Sequence, residues 1–309
     1  MSTKHPKKLQ GHMALNHIQS PTNFAFNAIL LLFALLCIIP VVFVFMVSIS
    51  SEASITANGY RLFPSAFSNE AYSFLWGERK TILNALWISV SVTVIGTILG
   101  LVLTSTMGYV LSRKNFRLNS FFTYVVFIPM IFNGGMVANY VVISHLLKLQ
   151  NSIFALILPL AVSSFNVMIC RTFFKTTVPD SIIESAKIDG ASQLRIFVQI
   201  VLPISKPVLA TIGLFLAFGY WNDWFQSSLY ITEKNLISLQ ALLNNMVANI
   251  EYLANNPSAG LSLIQYKAQM PTEAIRMAIA VVIVVPIACV YPFFQKYFIS
   301  GLTIGAVKG

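Results

Sequence analysis

The chain has 309 residues, 56% of them hydrophobic and only 10% charged, whereas soluble domains carry about 25% charged residues. That balance excludes a water-soluble globule. The three cysteines, Cys37, Cys170 and Cys289, lie inside apolar tracts or at their ends, which excludes a secreted disulfide scaffold and makes them small buried hydrophobes. The net charge of +10 raises a nucleic-acid partner as a reading, but its placement along the chain supplies another cause.

In chain order, residues 1–23 form a basic tail containing Lys4, Lys7 and Lys8. The apolar stretch after it is too long for a secretion signal and lacks a small-residue cleavage site, so it is the first membrane helix. No formal charge occurs between Lys8 and Glu52, Lys80 and Arg113, Arg117 and Lys148, Lys148 and Arg171, Lys206 and Asp223, or Arg276 and Lys296. A bilayer core takes about 20 apolar residues per helix. The tracts therefore predict an all-α polytopic membrane protein with six spans, at 24–49, 82–111, 118–147, 151–170, 208–231 and 277–297. With the N-terminus inside, the inner segments hold thirteen of the twenty Lys and Arg and the outer loops seven. That asymmetry places both termini in the cytoplasm and accounts for the net charge, so no nucleic-acid partner is expected.

Within the third span, Asn133-Gly134-Gly135 follows Pro129. The paired glycines either break the helix around a cavity or let neighbouring helices pack closely.

The inner segment 171–207 is too long for a connector. Ser181 and Glu184 fit a capping box after Pro179, which predicts a short helix that Gly190 ends. A second helix from Ser192 carries Leu194, Phe197, Val198 and Val201 as one apolar stripe, and Pro203 stops it. The product is a helical hairpin between two spans, which either lies along the membrane as a link or docks its stripe in a partner's groove.

Glu184-Ser185-Ala186, Asp189-Gly190-Ala191, Phe197, Ile200, Leu202-Pro203 and Pro207 together resemble the Glu-Ala-Ala loop in permease subunits of bacterial ATP-binding cassette importers. Asn133-Gly134-Gly135-Met136, Tyr220-Trp221-Asn222-Asp223-Trp224 and the ending from Phe298 to Gly309 resemble the maltose-type carbohydrate branch, more narrowly the lipoprotein and polygalacturonan-oligosaccharide permeases. Ser185 departs from the family's usual second Ala, but a serine is small enough to pack in a groove.

The resemblance implies a type I importer permease fold over 24–309, with a coupling hairpin at 178–203, an outer loop at 232–276 and a C-terminal tail at 298–309. It implies that Glu184, Ser185, Ala186, Asp189, Gly190, Ala191, Phe197 and Pro203 couple to an ATPase subunit, with Glu184 facing a basic residue and Gly190 making the turn. By the same resemblance Gly305, Lys308 and Gly309 reach the ATPase, the alternative being a frayed end. The implied partners are a second permease in a heterodimer, two ATPase subunits, an extracytoplasmic solute-binding protein meeting the outer loop near Asn244 to Pro257, an oligosaccharide and membrane lipid. The implied location is the bacterial inner membrane.

No engine is legible in the chain. It has no Gly-rich phosphate loop ending in Gly-Lys-Ser or Gly-Lys-Thr, no Gly-x-Ser-x-Gly elbow and no His-Glu-x-x-His pair. No cofactor is therefore expected here, and ATP and Mg are expected on the partner ATPase. His5, His12, His17 and His145 are scattered, so no metal site is expected.

Asp223 is the one acidic residue within a predicted span, a functional position by default. Tyr220, Asn222, Asp223, Trp224 and Gln226 offer aromatic faces and polar groups suited to sugar, and with Asn133 they form the expected substrate path. The competing reading is an aromatic belt at the outer interface. Two other functions stay open: a stand-alone secondary transporter, which would carry more buried ionisable residues and internal repeats, and a non-transporting scaffold.

Overall fold

The computed structural model describes residues 20–255 and 272–306. Among them the chain is helical, and its one β pairing is the isolated bridge between Ser50 and Phe67. The helices are α1 (Ser20–Ser48), α2 (Glu52–Asn58), α3 (Glu70–Gly77), α4 (Arg79–Ser112), α5 (Asn119–Ile131), α6 (Gly135–Tyr140), α7 (Ile153–Ala161), α8 (Ser164–Thr177), α9 (Asp180–Ile188), α10 (Gln193–Ile196), α11 (Leu202–Ile204), α12 (Lys206–Trp221), α13 (Phe225–Tyr230), α14 (Leu239–Asn255) and α15 (Thr272–Ala306). Wider π-type turns follow α6 over Val141–Leu146 and join α10 to α11 over Phe197–Val201.

The hub is α4. Its inward face repeats small residues at Ala85, Ser89, Gly96, Gly100, Thr104 and Gly108, four positions apart except for the seven between Ser89 and Gly96, where Val92 intervenes. Without a hydrophobic force between helices in lipid, such a face is what allows close packing. A β-carbon at Gly100 would stand 2.8 Å from the Ala161 carbonyl oxygen, and one at Gly108 would overlap the Cys170 side chain. Cys170 is buried, whereas Cys37 and Cys289 are exposed, so only the first behaves as the sequence predicts.

Among the described residues, two helices are long and apolar enough to cross a membrane, Thr22–Ser48 and Arg79–Ser112, or four if each of two bent pairs is one span. The predicted third span is instead α5 and α6, separated at Phe132–Gly134. Gly135 takes φ +82 there, and its amide donates to Asn133 Oδ1 at 2.9 Å. That is the break the paired glycines offered. The predicted fourth span is α7 and α8, bent by 47° at Val162–Ser163 and running on to Thr177. The fifth ends at Trp221, and α13 restarts after it. The sixth is part of α15, 35 residues that stay helical through Gly305 where a tail from 298 was expected.

α1 is exposed along most of its length, and its Ser48 end packs beside α15. The segment expected as the outer loop is packed onto the bundle at its start: α14 buries Leu239, Leu243 and Ile250 in one cluster with α4 and α15, and Ser89 Oγ accepts from the Leu239 amide at 2.8 Å. Residues 256–271, including Asn256 and Pro257 of the expected contact loop, lie outside the described residues.

Candidate coupling hairpin and substrate path

The hairpin forms where the sequence puts it, by a different local chemistry at its start. Helix α9 begins at Asp180 with Pro179 as its N-cap and no side-chain capping bond, so the Ser181–Glu184 capping box does not form. Proline at the cap fixes φ and brings no donor to satisfy, and that suffices to start the helix. The end is as expected: Gly190 has φ +79, the Ala191 amide donates to the Ala186 carbonyl at 2.9 Å, and the Gly190 amide donates to that of Lys187 at 3.0 Å. This paired closure needs the left-handed conformation that glycine adopts without steric cost. Ser192 then caps the second helix by accepting from the Arg195 amide at 3.3 Å.

The faces are divided differently from the predicted stripe. Ile183, Ala186, Ile196 and Val201 are buried with Tyr109, Cys170, Phe174 and Val178, and Ala191 and Phe197 pack against them. Leu194 and Val198 point away and are exposed, as are Ile188, Glu184, Ser185, Asp189 and Gly190. Ala186 is therefore an anchor of the hairpin and not part of its outer face. Pro203 is exposed and sits inside α11; the chain turns two residues later, at Ser205, where the second hairpin helix meets α12 at 84°. A proline tolerated in the first turn of a helix does not stop it. At that angle the second hairpin helix runs across the end of the bundle instead of along it.

A charge clamp fixes the hairpin to α4. Arg113 donates to Asp180 Oδ1 at 3.1 Å, to the Phe174 carbonyl at 3.1 Å and, through Nε, to Ser112 Oγ at 2.9 Å. Lys114 Nζ lies 3.6 Å from Asp180 Oδ2.

The expected substrate-path residues separate. Tyr220 is buried, and its hydroxyl donates to the Ile157 carbonyl at 2.8 Å, so it is a packing residue and not an open lining group. Asn222, Asp223 and Trp224 form the break between α12 and α13. The Asn222 amide group donates back to the Phe218 carbonyl at 2.9 Å, and the Asp223 carboxylate accepts from the Gln226 amide at 3.2 Å, starting α13. Asn222 and Trp224 are exposed, and Asp223 and Gln226 half-buried. Tyr220, Asp223 and Ser227 do not share one continuous helical face, because the helix stops between them. Asn133 is exposed in its own break, and among the described residues no hydrogen bond links it to 220–226.

Sequence reasoning missed an apolar cavity of about 380 Å³ between α4, α12 and α15, lined in part by Thr93, Thr97 and Trp221. The two threonine hydroxyls and the indole N–H are buried without partners among the described residues. The signal was the i, i+4 spacing of Thr93 and Thr97. Among the described residues no group of His, Cys, Asp or Glu could hold a metal. Of the expected tail contacts, Gly305 lies in α15, and Lys308 and Gly309 lie outside the described residues.

Residues 92–304, which take in the hub helix from Val92 onward, the hairpin and both broken helices, match the binding-protein-dependent transport system inner membrane component family. The chain belongs to that family. Its relatives include the polygalacturonan/rhamnogalacturonan transport system permease protein YtcP of Bacillus subtilis, 38% identical over 91% of this chain and 96% of the relative. Protein LplC of the same organism is 36% identical over 88% of this chain and 90% of LplC. Among solved structures, a chain from a bacterial ABC transporter involved in import of the acidic polysaccharide alginate superposes with a TM-score of 0.75 at 28% identity, covering 91% of this chain and 99% of that one. The sequence resemblance to carbohydrate importer permeases is thereby borne out, and this transport-system component has the permease fold of an ABC importer.

Proposed function

We propose that this chain is one of two membrane-spanning subunits of an ATP-driven oligosaccharide importer in the bacterial inner membrane, with two separate ATPase subunits on the hairpin side. The observation that carries the reading is the hairpin itself. Its buried face is locked to α4 and α8, while Glu184, Ile188, Asp189 and Leu194 are left exposed at the end of the bundle. A rigid, two-faced hairpin of this kind transmits movement of a partner to the spans, where a loose link would not. ATP and Mg act on the ATPase subunits, and this chain contributes none of the hydrolytic groups.

In this reading the hairpin and both termini are cytoplasmic, six spans cross the bilayer, and α2, α3 and α14 with the following residues face the solute-binding protein. Glu184, Ser185, Asp189 and Gly190 meet the ATPase, Ala186, Ala191 and Phe197 support them from behind, and the C-terminal residues 305–309 add a second contact. The solute passes the helix breaks at Asn133 and at Asn222 to Gln226. The names of the relatives, polygalacturonan/rhamnogalacturonan for one and the acidic polysaccharide alginate for another, support oligosaccharides of such polysaccharides as the class of cargo.

The test is co-purification of the tagged chain from its native membranes in mild detergent. A second permease and an ATPase are expected with it, and the Glu184→Lys variant should lose the ATPase. Recovery of the chain alone, under conditions that keep other membrane complexes intact, would favour a stand-alone transporter and overturn the reading.

A further inference from the structure

A second cavity, of about 550 Å³, opens where the end of α4 and the 113–118 corner meet the hairpin. Its wall carries three cations, Arg113, Lys114 and Lys187, against two carboxylates, Asp180 and Glu184. Asp180 is already shared by Arg113 and Lys114, whereas Lys187 has no carboxylate within 4 Å among the described residues. Tyr109 also lines the cavity. It is only 6% exposed, yet its hydroxyl has no hydrogen-bond partner among the described residues. A buried donor left unpaired costs free energy unless a ligand takes it.

The level of the cavity selects the ligand. Helix α4 is 34 residues long, about 51 Å at 1.5 Å per residue, which exceeds the roughly 40–45 Å of a bilayer including its headgroups. Its last turns, and the cavity beside them, therefore stand in the headgroup layer. Phe116 joins the cavity to the apolar surface of the next helix, packing against Phe122 with tilted rings whose centroids are 5.9 Å apart, beside the exposed Phe121 and Tyr124. A molecule that fits has an anionic, hydrogen-bond-accepting head and an apolar body that leaves past Phe116. We propose that this cavity binds the phosphate of an anionic phospholipid, held by Lys114, Lys187 and the Tyr109 hydroxyl, so that lipid braces the hairpin against α4. Basic pockets at the cytoplasmic ends of spanning helices take such headgroups. The inference rests on the membrane orientation given above, with the hairpin end at the cytoplasmic face.

Native mass spectrometry of the full chain in detergent, with added phosphatidylglycerol or phosphatidylcholine, tests this without any transport readout. Phosphatidylglycerol should be retained preferentially, and Lys114→Ala with Lys187→Ala should weaken its retention by about tenfold or more. Tyr109→Phe should weaken it by less, and neither variant should lower the lipid-free unfolding temperature enough to account for the loss. Equal retention of the two lipids overturns the proposal, as does undiminished phosphatidylglycerol retention in the folded double variant. Full competition by millimolar inorganic phosphate would mark a free-phosphate site and also overturn it. If the double variant loses the ATPase on co-purification while lipid retention is unchanged, the cavity belongs to the ATPase and the lipid proposal fails while the importer reading stands.

Discussion

Tyr220 lies across Gly96: its ring fills the space a β-carbon on Gly96 would occupy, and its hydroxyl donates to the Ile157 carbonyl at 2.8 Å. One side chain thus joins α12 to α4 and α7, and it does so because α4 presents no side chain there. Gly96→Ala should destabilise the fold by about 1–3 kcal/mol, since the ring can retreat only by giving up its hydrogen bond. Tyr220→Phe should cost about 1 kcal/mol, the loss of one buried hydrogen bond. Thermal unfolding in detergent measures both, and a Gly96→Ala variant as stable as the parent would remove the packing argument.

The clamp at the hairpin divides unequally between Arg113 and Asp180. The Arg113 side chain is 15% exposed and that of Asp180 50%, and only Arg113 also holds the Phe174 carbonyl. Arg113→Ala should therefore destabilise by about 2–3 kcal/mol, because it strips a charge-assisted bond from a part-buried carbonyl. Asp180→Asn should cost no more than about 1 kcal/mol, as expected for an ion pair open to water. Hydrogen exchange of α9 amides would check the order: faster exchange in the Asp180 variant than in the Arg113 variant would contradict it.

At the end of the bundle away from the hairpin, Asn151 is a clasp. Its φ is +55, its Oδ1 accepts from the Thr232 amide at 2.7 Å, and its Nδ2 donates to Thr232 Oγ1 at 2.8 Å. Asn151→Ala would lose these bonds and add a left-handed backbone penalty that asparagine tolerates better than alanine. A loss of about 1–2 kcal/mol is expected, with Asn151→Gly recovering the backbone part of it. Equal stability of the Ala and Gly variants would show that φ is not what asparagine supplies.

Tyr60 donates to Glu273 Oε2 at 2.7 Å, and the carboxylate beside it holds the Tyr60 hydroxyl above its ordinary value of 10.0. A raised folded-state value means that the neutral phenol is the form the fold favours. The tether is therefore complete below pH 10 and is lost as pH rises through the shifted value. Phenolate absorbance, taken as the difference between the parent and Tyr60→Phe, should show this group ionising above the free-tyrosine midpoint, and Glu273→Gln should bring it back down. A midpoint that ignores Glu273 would refute the cause.

Asp223 is the residue whose role transport alone decides. Asp223→Asn keeps an oxygen to accept from the Gln226 amide, so α13 should form and the ATPase should still co-purify. Uptake into reconstituted vesicles should fall if the carboxylate contacts solute. Unchanged uptake would return Asp223 to the aromatic belt of Trp224 at the interface.

Much of this protein was legible in its sequence. The charge-free tracts marked apolar helices, of which two, or four with the bent pairs, are long enough among the described residues to cross a membrane, and Asp189-Gly190-Ala191 marked the hairpin turn because glycine takes φ +79 freely. Asn133-Gly134-Gly135 offered a break, and the chain breaks there. Composition could not show which face of each helix finds a neighbour. Resemblance implies Ala186 at the ATPase contact and periodicity puts Leu194 on the apolar stripe, yet Ala186 is buried with Tyr109 and Phe174 while Leu194 is left exposed. Tyr220 read as a sugar platform until the missing side chain of Gly96, 124 positions earlier in the chain, drew its ring inward. Local sequence marks where the backbone can turn or break, as at Gly190 and Gly135, because backbone angles are local. Which of a helix's side chains faces a core, a solute or a partner depends on shapes brought together from distant parts of the chain, and only the tertiary structure decides that.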